Sequence, residues 1–424
     1  MKRIERLLNT KKALSFLVVL LCSTTSIFAQ KEANFYNDKS KEVSKKVDLV
    51  KDYRTNNSDK NDDSPKLQKA INDMTSLKQG GEIFIPKGTY YFKNIELKSN
   101  VHLVIDEHAT IIPTPTNDNK NYKVFLFGGK KGTIKNVSIR STKNMFIVDL
   151  QNVVNKNVAV ITLTNVENFL ITGIKVLDNN TRFSAITLGF AEYKNQYYKP
   201  TNGIIKNCTI TKAHYGYGLV QSQASEHVYY ENLSGEGGVT LRLETGYKKM
   251  NKLKVGGNFD VYAKNISSRN ANATLMISPH TIPNGYFEVD GVTAINSGFA
   301  VRIGKGYTTK DQKKAGLTPG TYDNKSKISN VKATYGKTAQ VKSKHFKYMP
   351  CKERVLIASS FNPDGESYTA PSISPIVNAA KGSGAGYFNV EITNVSGTGF
   401  LNLDKDILIE SDAIKTCPDG NKMK

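Results

Sequence analysis

The sequence predicts an all-β chain wound as a parallel β-helix, with an N-terminal capping helix and long inserted loops. Three observations carry this expectation: short segments rich in Ile, Val and Thr recur around an Asn or Gly, no helical period persists between them, and one amphipathic helical segment precedes them. In a solenoid of this kind each coil lies on the last and insertions leave as loops.

The recurring marks are IKNVSI with Asn136, ITGIKV with Gly173, IKNCTI with Asn207, YENLSG with Asn232, AKNISS with Asn265, VDGVTA with Gly291 and ISNVKA with Asn330. Their spacings are 37, 34, 25, 33, 26 and 39 residues, and a fainter echo, ITNVSG with Asn394, follows a larger insertion. Asn and Gly stand where the chain must turn. A propeller would want four strands in each repeat of roughly 40 residues, so irregular coils favour the β-helix.

Ser64 can cap a helix whose first turn holds Pro65, and Leu67, Ile71 and Met74 recur at helical spacing before Gly80 and Gly81 stop it. With the strands EIFIPKGTYYF and VHLVIDEHATII, this forms a cap and first coils over residues 61–128, and the β-helix continues over 129–424. Such a cap covers the otherwise open edge of the first rung. Residues 305–325 and 340–385 interrupt the repeat with Lys, Gly, Pro, Ser and Tyr and read as loops able to wall a groove. Residues 30–60 are polar and aperiodic, a loosely attached lead-in.

Residues 1–29 pair a basic segment, MKRIERLLNTKK, with the apolar ALSFLVVLLCSTTSIFA. They read as a secretory signal cleaved after Ala29, giving a secreted protein, extracellular or periplasmic. Leu21 disfavours lipid attachment at Cys22, and no later stretch suits a membrane span. Cys208 lies in a strand pattern and is expected buried; an oxidising compartment permits a Cys351–Cys417 bridge without requiring it.

The formal charge is +22, and removing five basic residues and one acidic residue with the signal leaves +18. That surplus attracts polyanions. For an exported chain these are sulfated or carboxylated polysaccharides. Nucleic acid is excluded, because no basic run is interleaved with aromatics. No zinc spacing or Asp-rich calcium loop is written in the chain, so the chemistry requires no cofactor, while structural Ca²⁺ or Na⁺ stays open. A monomer is expected.

The chemistry centres on GEGGVTLRLETGY, residues 235–247. Alternation at period two sends Leu241 and Leu243 inward and Arg242 and Glu244 outward together. On neighbouring rungs, HYGYGLVQSQ offers Gln221, ATLMISPH offers His280, and GFAVRIGKG offers Arg302 and then Lys305. Stacking would gather Gln221, Arg242, Glu244, His280 and Arg302 on one face, and Arg242, Arg302 and Lys305 are the expected substrate-binding residues. A Glu among cations can still donate a proton if burial or substrate charge raises its pKa.

GYGLVQ, SGEGGVTLRLET, SPH and SGFAVR, in that order and at these separations, resemble glycoside hydrolase family 82, the iota-carrageenases, most specifically over residues 205–305. The resemblance implies a right-handed, single-stranded, pectate-lyase-like β-helix and an endo-acting, inverting hydrolase of β-1,4 bonds in iota-carrageenan. It implies Glu244 as proton donor, Gln221 beside the catalytic water, His280 in the active site, and Arg242 and Arg302 on sulfate. The family's Glu-Thr-Asp is here Glu244-Thr245-Gly246, so the general-base carboxylate is replaced, and a further family acid is replaced near Thr309. Side chains two apart on a strand project about 6.6–6.8 Å apart, within the roughly 6.5–9.5 Å of an inverting pair. Glu236, Asp260 and Glu192 are the alternative bases, or His280 deprotonates the water. Another sulfated galactan, a β-helix polysaccharide lyase and a non-catalytic sulfated-glycan binder are the competing readings.

Overall fold

The computed structural model describes residues 32–417; the signal expected over 1–29 lies outside them. Within that range 22 strands join in one continuous parallel arrangement. They form three stacks. The first climbs from Lys45–Asp48 through Gly81–Ile85, Val101–Ile105, Ile134–Ser141, Val166–Leu177 and the starts of Thr201–Ser222 and Ala224–Glu244. It then continues through Gly257–Arg269, Phe287–Ile295 and Lys327–Thr334 to Glu391–Thr398. The second begins with Gly88–Phe92, Ala109–Pro113 and Phe146–Asp149. The third includes Val158–Leu163, Ile186–Leu188, the ends of the two long strands, then Ala273–Ser278, Phe299–Ile303, Ser374–Asn378 and Ile407–Ile409.

Alternation explains the interior. Leu241, Leu243, Leu275, Ile277, Val301 and Ile303 are all fully buried in one core shared by every coil. Burying each such side chain contributes about 1.5–3 kcal/mol. Helix Ser64–Thr75 closes the first end with Leu67, Ile71 and Met74 buried, as its periodicity predicts. Its Asp63 cap makes no capping bond; the Ser64 hydroxyl instead accepts from Lys93 N–H at 2.8 Å.

The turning residues have positive φ: Asn207 at 53°, Asn232 at 52°, Asn265 at 53° and Asn330 at 58°, with Gly173 and Gly291 on the same corner. Their amides bond upward from coil to coil, Asn232 to Asn207 at 3.0 Å and Asn265 to Asn232 at 3.3 Å, and Asn394 bonds to Asn330. Asn136 corrects the repeat. It stands on the other corner, between Asn100 and Asn168 at 2.8 Å each, because Ile134–Ser141 pairs with the beginning of Val166–Leu177.

The lead-in is also corrected. Residues 32–38 run across the coils as a strap. Glu32 pairs with Lys206 at 2.7 Å, Asn34 C=O meets His227, Phe35 stacks on His227 and Tyr229, Asn37 bonds Asn168, and Asp38 meets Arg140 at 3.1 Å. Lys45–Asp48 is itself the first rung. Buried Phe35 and Tyr36 anchor this otherwise polar segment.

The second insertion ends earlier than its composition suggests, since Ser374–Asn378 is a rung of the third stack. Its body carries the antiparallel pair Ala339–Val341 and Tyr368–Ala370 and two 3₁₀ turns, Ser343–Tyr348 and Cys351–Leu356. Phe346, Tyr348 and Met349 pack on Met276, Phe299 and Val377 as a second core outside the solenoid. The Cys351–Cys417 disulfide is present, and Cys208 is buried and free.

Replacing Asn232 by Ala removes its ladder bonds and places a Cβ residue at positive φ. The expected cost is about 1–2 kcal/mol in urea unfolding, and Asn232→Gly, which loses only the bonds, costs less.

Candidate active site

The third stack has an outward row. Thr187, Gln221, Arg242, Met276 and Arg302 occupy successive rungs in register, and Glu244 lies two residues beyond Arg242, beside Ser278. Gly218 and a register shift before it turn the Thr201–Ser222 strand so that both Leu219 and Val220 are buried while Gln221 faces Glu244.

Four side chains converge there. Glu244 Oε2 accepts from Gln221 Nε2 at 3.2 Å and is ion-paired with Arg242. Glu244 Oε1 lies 3.3 Å from His280 Nε2. Arg242 also donates to the Gly216 carbonyl and lies against the Tyr217 ring. Only 10% of the Arg242 side chain and 15% of the Glu244 side chain are exposed, so this pair is a desolvated one and not a free surface charge. Burial pushes the Glu244 carboxyl up, but the charges of Arg242, His280 and Arg302 and the His280 bond outweigh it and draw the pKa down to about 2.

The strand Ala273–Ser278 ends before His280, which reaches Glu244 from a left-handed backbone, φ 48°. Its carbonyl accepts from Tyr307 N–H at 3.0 Å and Gly320 N–H at 2.9 Å, and Tyr307 packs on the imidazole with centroids 5.0 Å apart. Thr245 Oγ1 donates to the Pro279 carbonyl, and Tyr322 donates to the Leu243 carbonyl at 3.0 Å. The first insertion therefore fastens the site from behind. Tyr307 and Tyr322 carry no strand or spacing signal, which is why sequence reasoning misses them.

Gly246 has a specific role in this packing. A Cβ there would lie 2.8 Å from His280 Nε2 and 3.0 Å from Cε1. The imidazole fills the space that a side chain at 246 would take.

The other candidates are dispersed. Arg302 lies on the outward row but donates to His345 Nε2 at 2.7 Å. Lys305 is held by Glu410 and Tyr387, each at 2.6 Å, and is not a free cation. Asp260 stands on a corner of the first stack bonded to His227, and Glu236 lies opposite Arg269. Glu192 sits on the hairpin Ala191–Tyr193/Gln196–Tyr198, paired with Lys249 at 3.7 Å, and Phe190 beside it packs against Tyr247. Among the described residues no three His, Cys, Asp or Glu side chains gather as a metal site, and no helix is long and apolar enough to cross a membrane.

Residues 49–277 match the family model described as rhamnogalacturonase A/epimerase, pectate lyase-like. The chain is 34% identical over 428 residues to an iota-carrageenase of Zobellia galactanivorans, covering 87% of this chain and 86% of that one. The chain belongs to the iota-carrageenase family. As a member it is a glycoside hydrolase on a parallel β-helix. A solved structure described as a 1,3-α-1,4-β-D-galactose-4-sulfate-3,6-anhydro-D-galactose-2-sulfate 4 galactohydrolase superposes with a TM-score of 0.86 at 29% identity, covering 91% of this chain and 95% of the other. An iota-carrageenase complexed to iota-carrageenan fragments superposes at 0.82 with 28% identity, covering 93% and 95%.

Gly246→Ala is expected to displace the imidazole from Glu244, since the ring is the movable partner. A misplacement on this scale lowers kcat about 10²-fold, with little change in melting temperature.

Proposed function

We propose that this iota-carrageenase relative is exported and cleaves β-1,4 linkages within iota-carrageenan by inverting hydrolysis, with Glu244 as the proton donor. The observation that carries this reading is the buried Gln221–Arg242–Glu244–His280 cluster on the outward row of the solenoid. The relative bound to iota-carrageenan fragments supports the choice of polymer.

A donor must hold a proton, yet the free site keeps Glu244 ionised down to about pH 2. The polymer's sulfates resolve this. An anionic group that engages Arg242 takes the cation away from Glu244, leaving burial to raise its pKa. Glu244 and His280 are in contact, closer than the roughly 6.5–9.5 Å that admits a sugar and a water between acid and base. Substrate entry therefore parts them. Glu244 then protonates the leaving glycosidic oxygen. Water attacks the opposite face of the anomeric carbon and yields its proton to His280, whose ring fills the space over Gly246. The Gln221 amide donates to Glu244 and leaves its carbonyl to orient that water. Glu192 is less suited as base because Lys249 pairs with it.

The deciding experiment is product analysis on iota-, kappa- and lambda-carrageenan. The expected result is even-numbered oligosaccharides from iota-carrageenan, an α-anomer formed first, and no unsaturated sugar. A β-anomer formed first, or no new reducing ends from iota-carrageenan, would reject the mechanism or the substrate.

Two variants probe the roles. Glu244→Gln should lower kcat about 10²–10⁴-fold while retaining binding. His280→Gly suits the positive φ and leaves an imidazole-sized gap, so free imidazole should restore part of the lost rate; no rescue would count against His280 as base. In the unsubstituted protein the alkaline limb of kcat should lie several units above the free-site value of about 2. Glu244 must be protonated to act, so activity falls as pH rises through its pKa in the complex.

A further inference from the structure

The ladder between the strands that carry Glu244 and His280 ends at the pair Glu244 and Ser278. Past it each chain leaves the sheet. One passes through Thr245, Gly246 and Tyr247 into the short helix Lys248–Leu253, and the other through Pro279, His280 and Thr281. The space that the imidazole fills over Gly246 lies between these two departures, beyond the hold of the strands.

A side chain of the helix spans them. Asn251 is 2% exposed, and its whole carboxamide is committed there. Its Nδ2 donates to the Thr245 carbonyl at 2.9 Å and to the Tyr247 carbonyl at 2.8 Å, and its Oδ1 accepts from the Thr281 hydroxyl. The two carbonyls flank Gly246. Thr281 flanks His280 on one side; on the other, the Pro279 carbonyl accepts from the Thr245 hydroxyl. Gly246 and His280 are thus each held at both neighbours by one buried polar network. Beneath it the fully buried Met250 packs with Ile282 and seats the helix against the chain that leaves His280.

The partners explain the residue type. Two carbonyls and one hydroxyl call for two donors and an acceptor on a short stem, which Asn supplies. Asp would set an oxygen against both carbonyls, and Leu would strip all three groups of these bonds. A buried network whose members are all paired is rigid.

We propose that Asn251 is a positioning residue for the reaction: it fixes the spacing of Gly246 and His280, so that substrate parts Glu244 from His280 by turning the imidazole while the two backbones stay in place. The effect on rate rests on the acid and base roles proposed above for Glu244 and His280; the spacing itself does not.

The test compares Asn251→Ala, Thr281→Val and Thr281→Ser with the unsubstituted protein. Thr281→Val keeps the outline of the side chain and removes the hydroxyl, and Thr281→Ser restores it. The first readout is the rate at which diethyl pyrocarbonate modifies His280, followed by peptide mass mapping, with the other histidines as internal controls. Glu244 and Tyr307 shield this ring. Asn251→Ala and Thr281→Val should be modified faster at His280, and Thr281→Ser should match the unsubstituted protein. The second readout is turnover of iota-carrageenan. In Asn251→Ala and Thr281→Val kcat should fall about 10²-fold, the scale of a misplacement of about 1 Å, with KM nearly unchanged, and Thr281→Ser should recover most of the rate. A purely structural role would lower the melting temperature and move neither readout in the folded protein; that result overturns the proposal. So does a raised KM at unchanged kcat, or loss of folding in Thr281→Val, which would assign the bridge to the coil and not to the site. Faster modification of His280 in these variants, in a protein whose His280→Gly variant imidazole does not rescue, would support the spacing role and refute His280 as base.

Discussion

Each coil turns at a residue in left-handed backbone, and the rest of the molecule depends on those turns falling one above another. A rung that turned one residue early would exchange its inward and outward faces. Arg242 and Glu244 would then point into the core and Leu241 and Leu243 into water. Asn accepts positive φ at lower cost than other side chains, and its amide links each turn to the next coil. The corner therefore holds the register that puts Gln221, Arg242 and Arg302 on one row.

On that row the chemistry depends on a local excess of cations. Arg242 is drawn out of bulk water with Glu244 as its counter-ion, Arg302 on the same row donates to His345, and His280 leans on the Glu244 carboxylate. An ion pair this well shielded is stable only while it is complete. In the proposed mechanism the free site is a resting arrangement, which an anionic polymer rearranges by competing for the guanidinium. A neutral glycan of the same shape lacks the charge to do so.

Much of this was written in the sequence, because it is local. Period-two alternation around Arg242 and Glu244, the Asn and Gly turns from Gly173 onward, and the helix with Leu67, Ile71 and Met74 each occupy a few consecutive residues. What escaped is long-range. Which corner Asn136 belongs to depends on the lengths of all sides of its coil. Lys305 reads as a free substrate-binding cation, but Glu410, 105 residues away, stands beside it. The lead-in looks unstructured because its partners, Arg140 and Lys206, are 102 and 174 residues distant. His280 is legible as a motif, but its position over Gly246 depends on the left-handed backbone that follows Pro279.

The strap of residues 32–38 has a consequence for how the molecule comes apart. A solenoid touches only its neighbours, so its melting resembles a one-dimensional chain in which ends fray and boundaries wander. The strap breaks that locality: it joins the strands Ile134–Ser141, Val166–Leu177, Thr201–Ser222, Ala224–Glu244 and Gly257–Arg269 through a single short segment. Coils that would otherwise part independently share one tie. The coils from Ile134–Ser141 to Gly257–Arg269 are therefore expected to open as one block, just as the later coils are tied across the stack by the insertion's core and the Cys351–Cys417 disulfide.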